Sequence, residues 1–345
     1  MPGPATDEET GTKQHGHTNT WQDRPASLAV GLGLMGMSAL YGPANDAESI
    51  ATIHAALDAG VTLLDTGDSY GMGHNEMLLR DALKGSNRET VLISVKFGVM
   101  RDPAGGVLGI DNRPAAMKNF LAYTLRRLGT DYVDIYRPAR FSPEVPIEDV
   151  AGGLAELVQA GYIRHIGLSE VGSETLRRAA AVHPISDLQI EYSLISRRIE
   201  DEILPTAREL GIGITAYGVL SRGLISGHWS KDEAGPQDFR TRLPRFSGDN
   251  LDRNLALVEE LRRIADAIGV TVAQVAIAWV LSRGTDIVPL VGARRRDRLA
   301  EALGALAVTL TAGDLAAIEA AVPADAAAGT RYAPSQMALL DRERR

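Results

Sequence analysis

Eight short runs rich in β-branched residues recur along this chain at helix-length intervals, and that alternation restricts the fold more than any other feature. The runs read "SLAVGLG", "VTLLDT", "VLISVKF", "YVDIYR", "RHIGLS", "DLQIEY", "IGITAYG" and "DIVPLVG". Near-continuous apolar strands separated by helices imply a parallel sheet with both faces covered. Amphipathic, Ala- and Leu-rich segments lie between them, over 46–58, 75–83, 114–128, 146–159, 200–210 and 253–268. The segment 114–128 opens with Pro114 and stops at Gly129, which is the usual asymmetry of helix ends. Eight such units over residues 27–322 fit an α/β fold of the closed (β/α)8 TIM-barrel type. Composition does not break in the middle, so one domain is expected there. A disordered tail over 1–26 precedes it and a C-terminal tail over 323–345 follows, whose stretch "AGTRYAPSQMALLDRERR" either lines the substrate pocket or frays.

One motif points elsewhere. Gly31, Gly33 and Gly36 spell G-x-G-x-x-G after a strand, the dinucleotide fingerprint. That fingerprint needs a helix to begin at its last glycine, where the helix N-terminus holds pyrophosphate. Gly42 and Pro43 delay a helix until about Asp46, so these glycines read as barrel-mouth turns.

Composition removes several function classes. A formal charge of -8 argues against a nucleic-acid surface, which relies on a basic footprint. The absence of cysteine excludes disulfides, thiolate catalysis and zinc-thiolate sites, and makes a reducing cytoplasm the expected location. No apolar run reaches the length of a membrane span. The first 25 residues have no apolar centre like that of a signal peptide, and His15 and His17 read as part of a solvated tail rather than a metal site.

In a barrel of this type the C-terminal strand ends build the active face. Those ends carry Asp65, with Tyr70 five residues later, then Lys96, Arg137 with Arg140, Ser169, Gln189 with Glu191, Tyr217 and Arg294. Asp65, Tyr70 and Lys96 make chemical sense together. A phenol ionises near ~10, and an ammonium nearby favours the phenolate and lowers that value. A carboxylate keeps the lysine charged despite burial. Such a tyrosine serves as a general acid toward a developing alkoxide. A plainer alternative is an Asp65–Lys96 ion pair that staples two strands beneath a rim tyrosine. His165 inside its strand reads as a core residue, and His74 as the surface start of a helix unless it approaches the pocket.

The stretches "LLDTGDSYGMGHNE", "ISVKFG", "IGLSE", "QIEYSLISR", "TAYGVLSRGLISG" and "VPLVGARRRDRLAEAL", in this order, resemble the aldo-keto reductase superfamily from about Ser27 to Val322. The resemblance implies NADP(H)-dependent interconversion of a small-molecule carbonyl and its alcohol, without metal. By match, Tyr70 is the proton donor and Lys96 and Asp65 set its acidity. Ser169 and Gln189 bond the nicotinamide carboxamide, Tyr217 stacks on the ring, and backbone around Gly218, Leu220, Arg222 and Gly223 wraps the pyrophosphate. Met35 and Gly292 complete the implied cofactor contacts.

"GARRRDRLAEAL" resembles the segment with which the family holds the adenosine 2′-phosphate. Physics agrees: Arg294 to Arg298 are expected in a helix's first turn, where the macrodipole disfavours cations by ~0.3–1 kcal/mol each. A dianionic phosphate paired with Arg294 and Arg298 reverses that penalty, so NADP(H) is expected over NAD(H). The family's adenine-contacting Asn is replaced by Ala302.

A second departure lies in "DIYRPAR". Ala139 stands where the family has a histidine that bonds the substrate carbonyl, and Arg140 follows. This P-A-R ending is similar to a subgroup that includes pyridoxal reductases, which suggests a heteroaromatic aldehyde. Arg137 or Arg140 is expected to restore positive charge near the developing oxyanion, unless both point outward to Glu144 or Glu148. Two long irregular stretches, 98–114 and 221–250, are expected to cover the active face, with Trp229, Phe239 and Phe246 as apolar closers. Two other functions fit the residues: a Schiff-base aldolase using Lys96, and a cofactor-binding regulatory subunit with little turnover.

Overall fold

The computed structural model describes residues 29–38, 41–230, 238–338 and 340–341; the tail expected over 1–26 lies outside them. In chain order the first half runs β1 (Gly31–Gly33), α1 (Asp46–Asp58), β2 (Leu63–Gly67), α2 (His74–Ala82), β3 (Leu92–Phe97), β4 (Val99–Arg101), β5 (Val107–Ile110), α3 (Pro114–Leu128), β6 (Val133–Pro138) and α4 (Ile147–Gln159). The second half runs β7 (Ile163–Ser169), α5 (Ser173–Val182), β8 (Asp187–Glu191), α6 (Ile203–Glu209), β9 (Gly213–Tyr217), α7 (Gly248–Ile268), α8 (Val272–Leu281), β10 (Ile287–Gly292), α9 (Arg296–Leu303), α10 (Ala312–Ala321) and α11 (Pro334–Met337).

Eight of the strands close a barrel in the order β1-β10-β9-β8-β7-β6-β3-β2. Every neighbouring pair is parallel. These are the eight runs read from the sequence. Helix α3 begins with Pro114 at its first turn and ends at Gly129, whose φ of 67° accommodates the left-handed C-terminal turn. Gly31 and Gly33 lie inside β1 rather than in a mouth turn, and a Cβ at position 31 would meet Leu63 Cδ2 at 2.8 Å. Gly36 sits in a single 3-10 turn, Met35–Met37, and the first α-helix starts only at Asp46. No helix N-terminus therefore follows the fingerprint at its last glycine.

Period-two alternation decides what enters the barrel. Leu63, Ile135 and Val288, with Leu92 against them, form a small apolar cluster apart from the main core. Two residues further along, the same faces carry Asp65, Ser94 and Arg137. The intervening Tyr136 points outward instead, and its hydroxyl donates to the Met117 carbonyl in α3 at 3.2 Å. The barrel thus has an apolar floor and a polar upper layer toward its C-terminal end.

The stretch after β3 is less irregular than expected, because β4 and β5 form an antiparallel hairpin with a register shift at Met100/Arg101. After β9 the chain makes 3-10 turns at Ser221–Ser226, Phe239–Arg242 and Pro244–Phe246. Trp229 meets Phe246 edge-on at 5.2 Å between centroids, and Phe239 packs against the same core. Among the described residues no single helix is long and apolar enough to cross a membrane.

Candidate active site

Tyr70 follows β2 in a 3-10 turn in which Gly71, Met72 and Gly73 all have positive φ (57°, 54° and 94°). That turn folds the phenol ring back onto the strand end. A Cβ on Gly67 would lie 3.2 Å from two ring atoms, so glycine is required there for the close approach. Lys96, from the adjacent strand, holds its Nζ 5.7 Å from the Tyr70 ring centroid and donates to Asp65 Oδ1 in a buried ion pair. The other oxygen of Asp65 accepts from Ser94 Oγ at 2.8 Å and from Gln189 Nε2 at 2.7 Å. The carboxylate is therefore fully occupied and rigid.

Electrostatics at this cluster reverse one expectation. Burial pushes the Tyr70 phenol well above its ordinary value, Asp65 adds to the rise, and Arg140 opposes it. The phenol is not made acidic by Lys96; it keeps its proton throughout the neutral range. Burial also brings Lys96 down to about 8, with Arg137 contributing and Asp65 resisting. For Asp65 burial works against ionisation, but Lys96 and Arg137 outweigh it and hold the carboxyl below its ordinary value. The arrangement offers a protonated phenol beside an ammonium, which is a proton donor in its resting form.

The two arginines of "RPAR" part company. Arg137 shares the parity of Ile135, so it enters the barrel. Its Nη1 lies 2.7 Å from Asp187 Oδ2, and its Nη2 donates to Ser94 Oγ at 2.8 Å. The outward orientation toward Glu144 or Glu148 does not hold for Arg137. Glu148 instead pairs with Arg178 at 2.7 Å. Arg140 turns toward the mouth of the barrel, where its Nη1 donates to the Ala139 carbonyl (2.7 Å) and its Nη2 to Tyr332 Oη (3.3 Å). Ala139 itself is buried.

Around the mouth a second charged cluster forms. Arg331 donates to Glu170 Oε2 at 3.0 Å and to Glu191 Oε2 at 3.1 Å, and Arg222 donates to the same Glu191 oxygen at 3.1 Å. Burial resists ionisation of Glu191, but Arg222 and Arg331 outweigh it and bring the carboxyl to about 2. Tyr217 Oη donates to Glu170 Oε1 at 2.8 Å. Sequence reasoning missed Arg331, Tyr332, Glu170 and Asp187. Asp187 was findable, because it sits two residues before Gln189 with the same inward parity.

Several residues expected at a cofactor have the right character. Ser169 Oγ is buried without a hydrogen-bond partner in the structure, and so is Ser221 Oγ. Ser221, Arg222 and Gly223 have consecutive positive φ values of 47°, 60° and 93°, and the Ser221 N–H is given to the Gly218 carbonyl at 2.6 Å. Gly218 is also left-handed (φ 67°), and a Cβ there would meet Glu191 Cγ at 3.1 Å. Leu220 supplies the carbonyl that accepts from Gly223 N at 2.8 Å. Gln189 is already committed to Asp65. Met35 lies in the turn after β1, beside Gly36, where a Cβ would stand 3.3 Å from Arg294 Cγ. Gly292 ends β10 and is exposed.

The basic segment is arranged differently from its expected place in one helical turn. Helix α9 starts at Arg296, so Arg294 precedes it. Arg295 pairs with Asp297, Arg296 with Glu48 and Arg298 with Glu301. Among the described residues Arg294 donates to the carbonyls of Tyr41 (2.8 Å) and Pro43 (3.2 Å) alone. His74 is at the surface, with its ring bonded to Ser38 Oγ (2.9 Å) and Asp46 Oδ2 (3.1 Å). His165 lies in β7, partly buried, with Ser186 Oγ at 3.4 Å.

Residues 29–323 match the aldo/keto reductase family. The chain belongs to that family. It is 39% identical over 311 residues to the aldo-keto reductase yakc of Schizosaccharomyces pombe, whose name specifies NADP(+), covering 89% of this chain and 92% of the relative. It is 40% identical over 304 residues to a probable aldo-keto reductase of Glycine max, covering 88% of each. Among solved structures, the glycerol dehydrogenase of Gluconobacter oxydans aligns with a TM-score of 0.77 at 31% identity, over 85% of this chain and 90% of that one. An aldo-keto reductase of Bacillus halodurans aligns with a TM-score of 0.70 at 27% identity, over 86% and 92% of the two chains. As an aldo/keto reductase, the chain is an oxidoreductase built on a (β/α)8 barrel.

Proposed function

We propose that this aldo/keto reductase interconverts an aldehyde or ketone and its alcohol, using NADP(H), with Tyr70 as the general acid and base. The observation that carries the reading is the protonated Tyr70 phenol beside Lys96, with Asp65 bound on both oxygens below them. The name of the yakc relative supports NADP(H). The unpartnered Ser169 and Ser221 hydroxyls and the left-handed run at 221–223 fit such a cofactor.

When bound, the cofactor supplies or accepts the hydride; the protein's own contribution is binding, orientation and the proton. Ser169, and Gln189 through the Oε1 that Asp65 does not take, would hold the nicotinamide carboxamide, Tyr217 would give the ring a platform, and Gly218 to Gly223 would take the pyrophosphate. Met35 and Gly292 would contact the cofactor, and Arg294, with Arg298, would hold the 2′-phosphate. In reduction Tyr70 Oη gives its proton to the developing alkoxide, and the Lys96 ammonium stabilises the phenolate left behind. Arg140 adds positive charge where Ala139 has replaced the family's histidine. The reverse reaction starts from the ionised phenol, so the raised pKa of Tyr70 keeps the enzyme in the protonation state that reduction needs at neutral pH.

An alanine at 139 in place of the family's histidine is a smaller side chain, which suits a bulky or heteroaromatic aldehyde, and a cysteine-free chain suits a reducing cytoplasm. A panel of aldehydes, ketones and alcohols assayed with NADP(H) and NAD(H) tests the reading; no turnover of any of them with either cofactor would sink it. Borohydride trapping of a substrate on Lys96 would instead reveal a Schiff-base enzyme. The ion pair that occupies the Lys96 ammonium opposes that chemistry.

A further inference from the structure

A directed line of hydrogen bonds crosses the barrel mouth and joins residues that lie far apart in sequence. Tyr217 has one hydroxyl proton, and it goes to Glu170 Oε1 at 2.8 Å. The 3.1 Å contact between the Tyr217 and Tyr332 hydroxyls is therefore donated by Tyr332. Tyr332 Oη in turn accepts from Arg140 Nη2 at 3.3 Å, because a guanidinium has no acceptor. The sense is fixed from end to end: Arg140 to Tyr332 to Tyr217 to Glu170.

The far end is anchored. Glu170 takes Arg331 on both oxygens, at 3.0 and 3.3 Å, and the Glu191 backbone N–H at 2.9 Å. Arg331 is the chain neighbour of Tyr332, so the bond that clamps Glu170 also delivers the phenol. The Tyr332 ring is buried, with the Arg222 guanidinium 4.5 Å from its centroid. Ala328, slightly upstream, is tied to Asn254 through both its N–H (2.8 Å) and its carbonyl (2.9 Å). The part of the expected tail from Ala328 to Tyr332 is thus a fixed strap over the mouth.

We infer that the Tyr332 hydroxyl is a positioning group that sets Arg140 and Tyr217 at once, one beside the reacting carbonyl and the other beneath the nicotinamide. The inference rests on the proposed function, which gives Arg140 and Tyr217 those places. Apart from its own neighbour's carbonyl, Arg140 has Tyr332 as its hydrogen-bond anchor. Burial opposes ionisation of Tyr332, but Arg222 and Arg140 outweigh it and hold the phenol below its ordinary value, which strengthens it as a donor toward Tyr217. A strap residue of this kind links carbonyl site and cofactor platform in a single geometry.

The test is Tyr332→Phe, which removes one oxygen and keeps the ring under Arg222. With NADPH and 4-nitrobenzaldehyde, kcat is expected to fall about ten- to a hundredfold, the scale of a small misplacement of reacting groups. The KM for the aldehyde and the affinity for NADPH, read by fluorescence titration, are expected to stay within about threefold of the wild type on the same reasoning. The isotope effect with NADPH deuterated at the transferred position is expected to grow. Tyr217→Phe breaks the line one link later, so the double variant should be no slower than the slower single variant. A wild-type kcat in Tyr332→Phe, or losses that multiply in the double variant, overturns this proposal alone. A wild-type enzyme that turns over no carbonyl overturns the proposed function and this inference with it.

Discussion

Arg137 and Asp187 form an ion pair inside the barrel, Nη1 to Oδ2 at 2.7 Å, with both side chains fully buried. The guanidinium passes over Gly167, where a Cβ would lie 3.1 Å from Nε. Thr215 Oγ1 donates to the other Asp187 oxygen at 2.5 Å. Asp187→Asn leaves the guanidinium without its counter-charge in the interior and is expected to cost about 3–5 kcal/mol of stability. Replacing both partners, Arg137→Met with Asp187→Leu, is expected to cost far less, because no lone charge remains. Urea unfolding of the two variants beside the wild type checks the order.

The same arginine contributes to a pH effect at Lys96. Lys96 loses its proton at about 8 in the folded protein, below its ordinary value of 10.5. As pH rises through about 8 the ammonium beside Tyr70 disappears, and kcat/KM for carbonyl reduction should fall with it. Stability moves the other way. Between about 8 and 10.5 the unfolded chain still holds the proton that the folded one has released, so this group raises stability with pH. An activity profile that falls above pH 8 while thermal stability holds therefore assigns the limb to titration. A flat profile to pH 10 would remove Lys96 from that role.

The barrel strands and the longer amphipathic helices were legible because each announces itself locally, whereas α5, α8, α10, α11 and the β4–β5 hairpin were not read. All eight barrel strands, and α3 to the residue, follow from apolar runs, Pro114 and Gly129. Asp65, Tyr70 and Lys96 were legible because parallel strands present their C-terminal ends on one face. The direction of the Tyr70 shift was not, since it depends on burial by loops rather than on the neighbouring charge. Arg137 was ambiguous only until strand parity was applied: Ile135 faces inward, so residue 137 does too. Arg331 and Tyr332 gave no local signal at all. They sit in an Ala- and Gly-rich segment, and their partners Glu170 and Tyr217 lie 161 and 115 residues away.

Tyr70 itself gives the sharpest separation of chemistry from binding. Tyr70→Phe removes the proton donor and keeps the ring that packs on Gly67. General acid catalysis contributes about 10²–10⁴-fold, so kcat should fall by that factor while NADPH affinity is retained. Gly67→Ala should do related damage by another route, since its Cβ would push the ring from 3.2 Å contact. Stopped-flow reduction and fluorescence titration of both variants distinguish lost chemistry from lost binding.

The choice between NADP(H) and NAD(H) should rest more on Arg294 than on its neighbours. Arg295, Arg296 and Arg298 each already face a carboxylate, namely Asp297, Glu48 and Glu301. Among the described residues Arg294 is bonded to two backbone carbonyls alone; it is half-buried, and that burial and Arg240 bring its pKa below the ordinary value. A phosphate dianion there would meet a cation to which no carboxylate is bonded among the described residues. Arg294→Ala is therefore expected to weaken NADPH about tenfold or more, or ~1.4 kcal/mol, and to leave NADH nearly unchanged. Arg298→Ala should cost less, because its guanidinium must first leave Glu301. Fluorescence titration of both cofactors against both variants measures the difference, and an equal loss for NADPH and NADH in Arg294→Ala would mean that this side chain does not hold the 2′-phosphate.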